Sequence, residues 1–236
     1  MENLLGVYAA TDRASTITPM KANVIGVPAA YAMKLRSAKL KKALVELGIA
    51  FIAAALTLLA LLNQIMPLVV VFLIATIVAG ALFSQHRVEL LRLRAGIRAE
   101  RKVASALYGT QTLLIVHGAT IGKNGDCDHI ALGPWAAAIE TKHGRAAFSF
   151  KNGKLQVGGR FLPRDPLAQA RAQAAAVSRH TGVQMTPVVC ISESPSRPVL
   201  FDGVWVCSAS DLGSVLSSLP NRVGSVEPLM RFFPRY

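Results

Sequence analysis

The chain has 236 residues, of which 52% are hydrophobic and only 17% are charged, and its mean hydropathy is +0.41. These values exclude a purely soluble protein, because such proteins carry more charged and less apolar sequence. The net charge of +13 favours a polyanionic partner, either nucleic acid or anionic lipid headgroups. The simpler alternative is that the charge serves only solubility and membrane orientation.

The apolar residues are concentrated between residues 47 and 83, where no side chain is charged. Two runs, Leu47–Leu62 and Ile65–Phe83, approach the roughly 20 apolar residues that a membrane-spanning helix needs. The polar pair Asn63-Gln64 separates the two runs. Because the runs have no polar face, they predict a transmembrane helical hairpin over residues 43–84 rather than a buried core hairpin.

Basic residues flank this hairpin on both outer sides, whereas its turn contains none. The flanking residues are Lys34, Arg36, Lys39, Lys41, Lys42, Arg87, Arg92, Arg94, Arg98, Arg101 and Lys102. By the positive-inside rule both termini are expected in the cytoplasm, which gives a bacterial inner-membrane protein with two spans. Residues 1–42 are then an N-terminal cytoplasmic segment whose first 30 residues look weakly structured, and residues 221–236 are a C-terminal tail.

The remaining part, residues 86–220, is predicted to be one soluble domain that begins with a helix over Arg87–Tyr108. Apolar residues recur there at steps of three and four, which indicates a face that packs on a core. They are Leu93, Ile97, Ala104 and Leu107. Glu100 falls on the same face, and a carboxylate there requires a reason, because an unpaired buried charge is costly.

Three strands are predicted after this helix, over Leu113–Val116, Cys127–Leu132 and Ala136–Lys142. A polar bend at Gly122–Gly125 separates the first two strands, and Gly133–Trp135 joins the second to the third. Residues that share a strand face are two positions apart. A three-residue loop that pairs Leu132 with Ala136 therefore also places Asp128 opposite Glu140, with Lys142 one step further along the same face.

The rest of the domain contains a hairpin over Phe148–Val157 that turns at Asn152-Gly153, followed by a helix. Asp165 is a suitable N-cap for this helix, Pro166 suits its first position and Gly182 suits its end. Two buried strands and a short helix are predicted to follow. These are Pro187–Ile191, Val204–Cys207 and a helix from Ser210-Asp211 to Leu219.

Two carboxylates and a lysine at one end of a strand pair are the groups that metal-dependent phosphodiester hydrolysis requires. Asp128 and Glu140 supply hard oxygen ligands for Mg²⁺, and Lys142 can orient a water molecule or stabilise developing charge. Glu100 is a further candidate carboxylate, and Gln169 could bind the water or a phosphate. Each signal alone is also explained by a surface salt bridge, turn chemistry or surface polarity.

Other kinds of site have less support in the sequence. Cys127, Cys190 and Cys207 form no C-x-x-C pair, so we expect buried, reduced thiols rather than a zinc site. His129 points to the strand face opposite Asp128 and is expected to be a packed core residue. No nucleotide-binding glycine loop and no nucleophile-elbow motif occurs.

Four motifs in a fixed order resemble those of the nuclease-related domain, a branch of the PD-(D/E)xK nuclease superfamily. Gly96 and Glu100 give G-x-x-x-E, and Asp128-His129 stands where the family has I-D-H. Ile139–Lys142 with Gly144 resembles I-E-x-K-x-x-G within one residue, and Asp165–Ala170 resembles N-P-x-x-Q-A. The departures are Ala99 for a second glycine, Cys127 for an apolar residue and Asp165 for Asn.

The resemblance implies a restriction-endonuclease-like α/β core, a mixed sheet flanked by helices, behind the transmembrane hairpin. It implies metal-dependent cleavage of nucleic acid, with Mg²⁺ or Mn²⁺ held by Asp128 and Glu140. The catalytic set is then Glu100, Asp128, Glu140, Lys142 and Gln169. The expected partners are nucleic acid, with DNA favoured over RNA, the lipid bilayer and, as an open question, other subunits of a membrane complex.

Two alternatives to a membrane-anchored nuclease stay open at the sequence level. The domain could bind nucleic acid or a membrane-complex partner through a related fold without catalysis. The chain could also be a structural subunit of a membrane complex in which the hairpin does the work. The presence of Glu100, Asp128, Glu140 and Lys142 together favours the nuclease.

Overall fold

A computed structural model of the chain describes residues 22–120 and 126–221. The polar bend predicted at Gly122–Gly125, the first 21 residues and the tail beyond residue 221 lie outside these ranges. Four helices and ten strands occur in the described part. In chain order they are β1 (Asn23–Ile25), α1 (Ala30–Leu62), α2 (Met66–Tyr108), β2 (Leu114–Thr120), β3 (Asp126–Leu132), β4 (Ala136–Lys142), β5 (Phe148–Lys151), β6 (Lys154–Val157), β7 (Arg160–Phe161), α3 (Pro166–Thr181), β8 (Thr186–Ile191), β9 (Val199–Phe201), β10 (Val204–Ser208) and α4 (Leu212–Ser218).

Seven of the strands form one mixed sheet in the order β1-β2-β3-β4-β8-β10-β9. Strands β2, β3 and β4 are antiparallel neighbours, whereas β8 runs parallel to both β4 and β10. Helices α2 and α4 cover one face of this sheet, and α3 covers the other. The predicted α/β class, a mixed sheet flanked by helices behind a two-helix hairpin, is confirmed.

Helices α1 and α2 are long and apolar enough to cross a membrane. Only 11% and 6% of the residues in their most apolar windows are buried, so these windows do not pack in a protein core. The turn between them is at Asn63 and Gln64, as predicted, and Pro67 lies in the first turn of α2. At the end of the apolar part opposite the turn, His86 Nε2 of α2 lies 3.1 Å from Glu46 Oε1 of α1.

The second helix does not end where its apolar part ends. The sequence predicts a separate helix from Arg87, but α2 continues through 43 residues from the apolar segment to Tyr108. Its last turns pack Val103, Ala104 and Leu107 against the sheet. The helix that carries Glu100 is therefore a direct extension of the helix that is apolar enough to cross a membrane.

The segment before the hairpin also enters the domain. Asn23–Ile25 pairs in parallel with β2 at the edge of the sheet, and Asn23 N donates to Leu113 O at 2.9 Å. For the described residues 22–30, this differs from the weak structure expected for the first 30 residues. Three strand residues are too few to display a period of two, so β1 has no recognisable sequence pattern. Both ends of the hairpin are thus attached to the same sheet.

A small antiparallel sheet of β5, β6 and β7 lies between β4 and α3 in the chain. The predicted turn at Asn152-Gly153 is confirmed, since both residues have positive φ, 52° and 72°. Helix α3 begins and ends as predicted. The Asp165 carboxylate accepts hydrogen bonds from the backbone N–H groups of Leu167 and Ala168, and Gly182 follows the helix with φ of 71°.

Candidate active site

The pairing of β3 with β4 brings the two predicted carboxylates together. The register pairs Leu132 with Ala136 and Ile130 with Ala138, and its continuation places Asp128 opposite Glu140. The Thr141 backbone N–H donates to Asp128 Oδ2 at 2.7 Å. The predicted register is confirmed, and it places both carboxylates where β4 ends.

Glu140 is a buried carboxylate, and each of its two oxygens accepts a hydrogen bond. Its side chain is only 3% exposed. Lys142 Nζ lies 2.5 Å from one of its oxygens, and Gln173 Nε2 donates to the other at 2.7 Å. These donors offset the cost of removing the charge from water, which is several kcal/mol for an unpaired ion.

Two glutamines of helix α3 contact Glu140 and Lys142. Lys142 Nζ donates to Gln169 Oε1 at 3.2 Å, so the structure brings together Glu140, Lys142 and Gln169 as the sequence predicts. Gln173 was missed, although it contacts both Glu140 and the Asp126 carbonyl oxygen. The available signal was its position four residues after Gln169, which places both amides on one helix face.

Glu100 faces this group from α2 and is half-buried. Its pKa is raised to about 7, mainly because burial disfavours the charged carboxylate, and the negative charge of Glu140 adds to the effect. The Ala29 backbone N–H and Lys142 act in the opposite direction. Glu100 is therefore near enough to interact electrostatically with Glu140, although it reaches the site from the opposite face of the sheet.

Asp128 has a pKa well above its ordinary range. Burial is the main cause, and the negative charges of Glu140 and Glu100 add to it, while the Thr141 N–H and Lys142 oppose it. Three carboxylates thus repel one another around a single lysine. A bound cation would lower the free energy of this arrangement by offsetting that repulsion.

The donor chemistry of Asp128 and Glu140 fits a hard divalent cation. Among residues 22–120 and 126–221, no three His, Cys, Asp or Glu side chains are close enough together to form a metal cluster. A Zn²⁺ or Ca²⁺ cage would need more protein ligands than this. Mg²⁺ is commonly held by one or two carboxylates together with water and substrate phosphate, and the two neighbouring carboxylates suit that mode.

The histidines and cysteines behave as the sequence predicts. His129 is completely buried, and its Nδ1 lies 2.7 Å from Nδ1 of His117 on the neighbouring strand. Burial lowers the pKa of His117 to about 4 and that of His129 to about 3, so both are neutral at pH 7. The three cysteines are free and buried, as expected for core residues.

The region that carries this geometry also matches a known family. Residues 95–192 match the model of the nuclease-related domain. The match includes Glu100, Asp128, Glu140, Lys142, Gln169 and Gln173. It leaves out the apolar parts of α1 and α2, as well as the strands β1, β9 and β10. No curated protein and no solved structure matches the chain.

Proposed function

We propose that the chain is a membrane-anchored, Mg²⁺-dependent nuclease that hydrolyses phosphodiester bonds in nucleic acid. The observation that carries this proposal is the convergence of Asp128, Glu140 and Lys142 at the end of β4, within the nuclease-related domain. The net charge of the chain, +13, suits a polyanionic substrate. The resemblance does not distinguish DNA from RNA, so both are tested as substrates.

Each residue has a role in this proposal that follows from its contacts. Asp128 and Glu140 would hold the cation, which supplies a Lewis acid beside the scissile phosphate. Lys142 carries the positive charge that lies closest to these carboxylates, and it can donate to the attacking water or to a non-bridging phosphate oxygen. Gln169 accepts from the Lys142 ammonium and so fixes its direction. Glu100, with a pKa of about 7, can exchange a proton near neutral pH.

The membrane part of the proposal rests on exposed apolar surface and on charge. Large apolar side chains along the hairpin are widely exposed, for example Phe51 at 78% and Leu62 at 73%. Exposure on this scale is not stable in water but is natural in lipid. Basic residues border both outer ends of the apolar part, so we place both termini in the cytoplasm of a bacterial cell and the domain at the inner face of the inner membrane.

A non-catalytic binding module is the second candidate, and one observation favours it. Both oxygens of Glu140 already accept hydrogen bonds, from Lys142 and from Gln173. A cation that used Glu140 would have to displace one of these donors or share an oxygen with it. If this arrangement persists in solution, the domain binds nucleic acid without cleaving it.

The test is cleavage of labelled DNA and RNA by the full chain in lipid nanodiscs, with Mg²⁺ and with chelator. We expect Mg²⁺-dependent cleavage by the wild type and a loss of at least a hundredfold for Asp128→Ala and for Glu140→Ala. Arg179→Gln, an exposed change at the far end of α3, is the matched control and should cleave normally. Equal cleavage by all four proteins would assign the activity to a contaminant. Binding without cleavage by the wild type would favour the binding module.

A further inference from the structure

The segment that contains the small sheet β5–β7 is rich in positive charge. Residues 143–164 contain five Lys and Arg and no Asp or Glu. The basic residues are Arg145, Lys151, Lys154, Arg160 and Arg164. Arg145 pairs with Glu193, its Nε lying 3.0 Å from Oε2. The other four are exposed and form no ion pair within the described part of the chain.

The two lysines of this segment occupy positions that lower the stability of the hairpin. Lys151 and Lys154 are direct cross-strand partners on either side of the Asn152-Gly153 turn. Like charges placed directly opposite each other destabilise a strand pair. A phosphate group that binds here would convert this repulsion into attraction.

A pocket of about 450 Å³ opens beside Lys154, within the size range of small-ligand sites. Phe161 and Arg164 line it together with Lys154, and the Phe161 side chain is 52% exposed although it is large and apolar. Asp165 also lines the pocket, but its carboxylate accepts from the backbone of α3. The pocket therefore combines an accessible aromatic ring with two exposed cations.

The small sheet is held firmly against the domain that carries the site. Phe150 stacks on Phe201 of β9 with ring centroids 4.1 Å apart and an interplanar angle of 12°. Phe148 and Leu155 pack in the same core cluster as Leu167 and Ala170 of α3. The pocket consequently has a fixed position relative to α3.

The pocket is also close to Lys142 along the helix. Asp165 lines the pocket, and Gln169, whose backbone N–H donates to Asp165 O at 3.0 Å, accepts from Lys142. Asp165 and Gln169 are four residues apart, which corresponds to a rise of about 6 Å along the helix. This separation is short enough for one stretch of a nucleic-acid strand to reach both the pocket and Lys142.

We propose that this pocket is a nucleotide-binding subsite for an unpaired stretch of the strand that flanks the scissile phosphate. A base stacks on Phe161, while Lys154 and Arg164 hold the adjoining phosphates. The substrate class is then nucleic acid with single-stranded character near the cut, because a base inside a duplex cannot present its face to the ring. The inference rests on the proposed function and names the substrate of that same site.

The experiment measures binding apart from cleavage. Full chains in nanodiscs of zwitterionic lipid are titrated with a fluorescent oligothymidine in chelator, and anisotropy is followed at several salt concentrations. Phe161→Ala should weaken binding about tenfold, the effect of one stacked base. The double variant Lys154→Gln/Arg164→Gln should reduce the slope of log K against log salt by about 1.4, since each phosphate contact on a single strand contributes about 0.7.

Leu200→Ala and Arg179→Gln are the matched controls, because they remove an exposed apolar and an exposed basic side chain at other places. Both should bind like the wild type. Unchanged affinity in Phe161→Ala with an unchanged salt slope in the double variant would overturn the subsite, and so would a wild type that binds no oligothymidine. A separate measurement follows binding to vesicles of anionic phosphatidylglycerol. If the Phe161 and Lys154/Arg164 variants bind oligothymidine normally but bind these vesicles less well, the patch binds lipid headgroups and the subsite is wrong.

Failure of this inference and failure of the nuclease proposal give different results. If the wild type cleaves and Phe161→Ala binds and cleaves equally well, only the subsite is wrong. If neither the wild type nor any variant cleaves, but binding depends on Phe161, the subsite is supported and the domain binds nucleic acid without catalysis.

Discussion

Glu100 is the residue of the site whose protonation should be visible in stability. Its pKa is raised from 4.5 to about 7 in the folded chain, because burial and the charge of Glu140 disfavour the carboxylate. Between these two values the folded state keeps a proton that the unfolded chain has released. Stability must therefore fall as pH rises through this window.

We expect the melting temperature of the detergent-solubilised chain, measured with a chelator present, to decline between about pH 4.5 and 7. Glu100→Gln, which cannot ionise, should make this decline shallower. It should not abolish it, because Asp128 has a raised pKa as well and contributes with the same sign. Parallel pH profiles for wild type and Glu100→Gln would show that Glu100 titrates normally.

At the scale of single residues, the site residues that belong to recognisable motifs could be predicted from the sequence. The contacts between residues far apart in the chain could not. Asp128, Glu140, Lys142 and Gln169 follow from motif order and strand register. Gln173 was missed because an amide in an alanine-rich helix resembles ordinary surface polarity. The effect of the Ala29 N–H on Glu100 joins residues 71 positions apart across the hairpin, and no local pattern encodes it.

Gly144 shows how the element-level packing around the site is constrained. A Cβ atom at this position would lie 2.8 Å from Ile191 Cγ2 and 2.9 Å from Val157 Cγ1. Val157 belongs to the small sheet and Ile191 to the central one, so Gly144 lets the two sheets approach closely. A side chain here would force them apart.

We expect Gly144→Ala to destabilise the chain by about 1–3 kcal/mol, the cost of overpacking. Gly96→Ala is the matched control, because Gly96 lies in α2 and a Cβ there would meet no atom within 4 Å. That change should instead stabilise by about 0.5–1 kcal/mol, since alanine favours a helix over glycine. Thermal melting of both variants measures this, and a stable Gly144→Ala would contradict the packing.

Two element-level features of the fold could not be foreseen, for opposite reasons. Strand β1 is too short for its periodicity to be seen, and it forms only because β2 offers an open edge. The continuity of α2 was hidden by a change of composition, since the sequence turns from apolar to charged after Phe83. No Gly or Pro lies between residues 81 and 95, and so nothing interrupts the helix there.

At the scale of the whole molecule, the hairpin and the domain are one connected unit. Strand β1 enters the sheet just before α1, and α2 runs from the apolar segment onto the sheet. A fragment that starts at residue 86 would lose β1 and expose the edge of β2, which invites aggregation. Experiments on this chain therefore need its full length.

The orientation of the hairpin gives a prediction of its own. A cysteine introduced at Asn63 or Gln64 should react with a membrane-impermeant maleimide added to intact cells, because the uncharged turn is expected outside. Cysteines at Lys39 or Arg101 should react only after the membrane is permeabilised. Labelling at Arg101 in intact cells, with protection at Gln64, would reverse the topology. The native Cys127, Cys190 and Cys207 are buried and give a low background.

The most direct test of the nuclease assignment compares metal binding with cleavage in Lys142→Ala. Lys142 lies 2.5 Å from Glu140, but as a cation it cannot itself be a metal ligand. Mn²⁺ binding, followed by calorimetry on the full chain, should therefore stay largely intact, while the cleavage rate falls by about a hundredfold or more. Lys142→Arg keeps a positive charge beside Glu140 and so controls for folding, but it should rescue little, since a planar guanidinium is not a compact point charge. Normal cleavage by Lys142→Ala, or metal binding without cleavage of DNA or RNA by the wild type, would contradict the assignment.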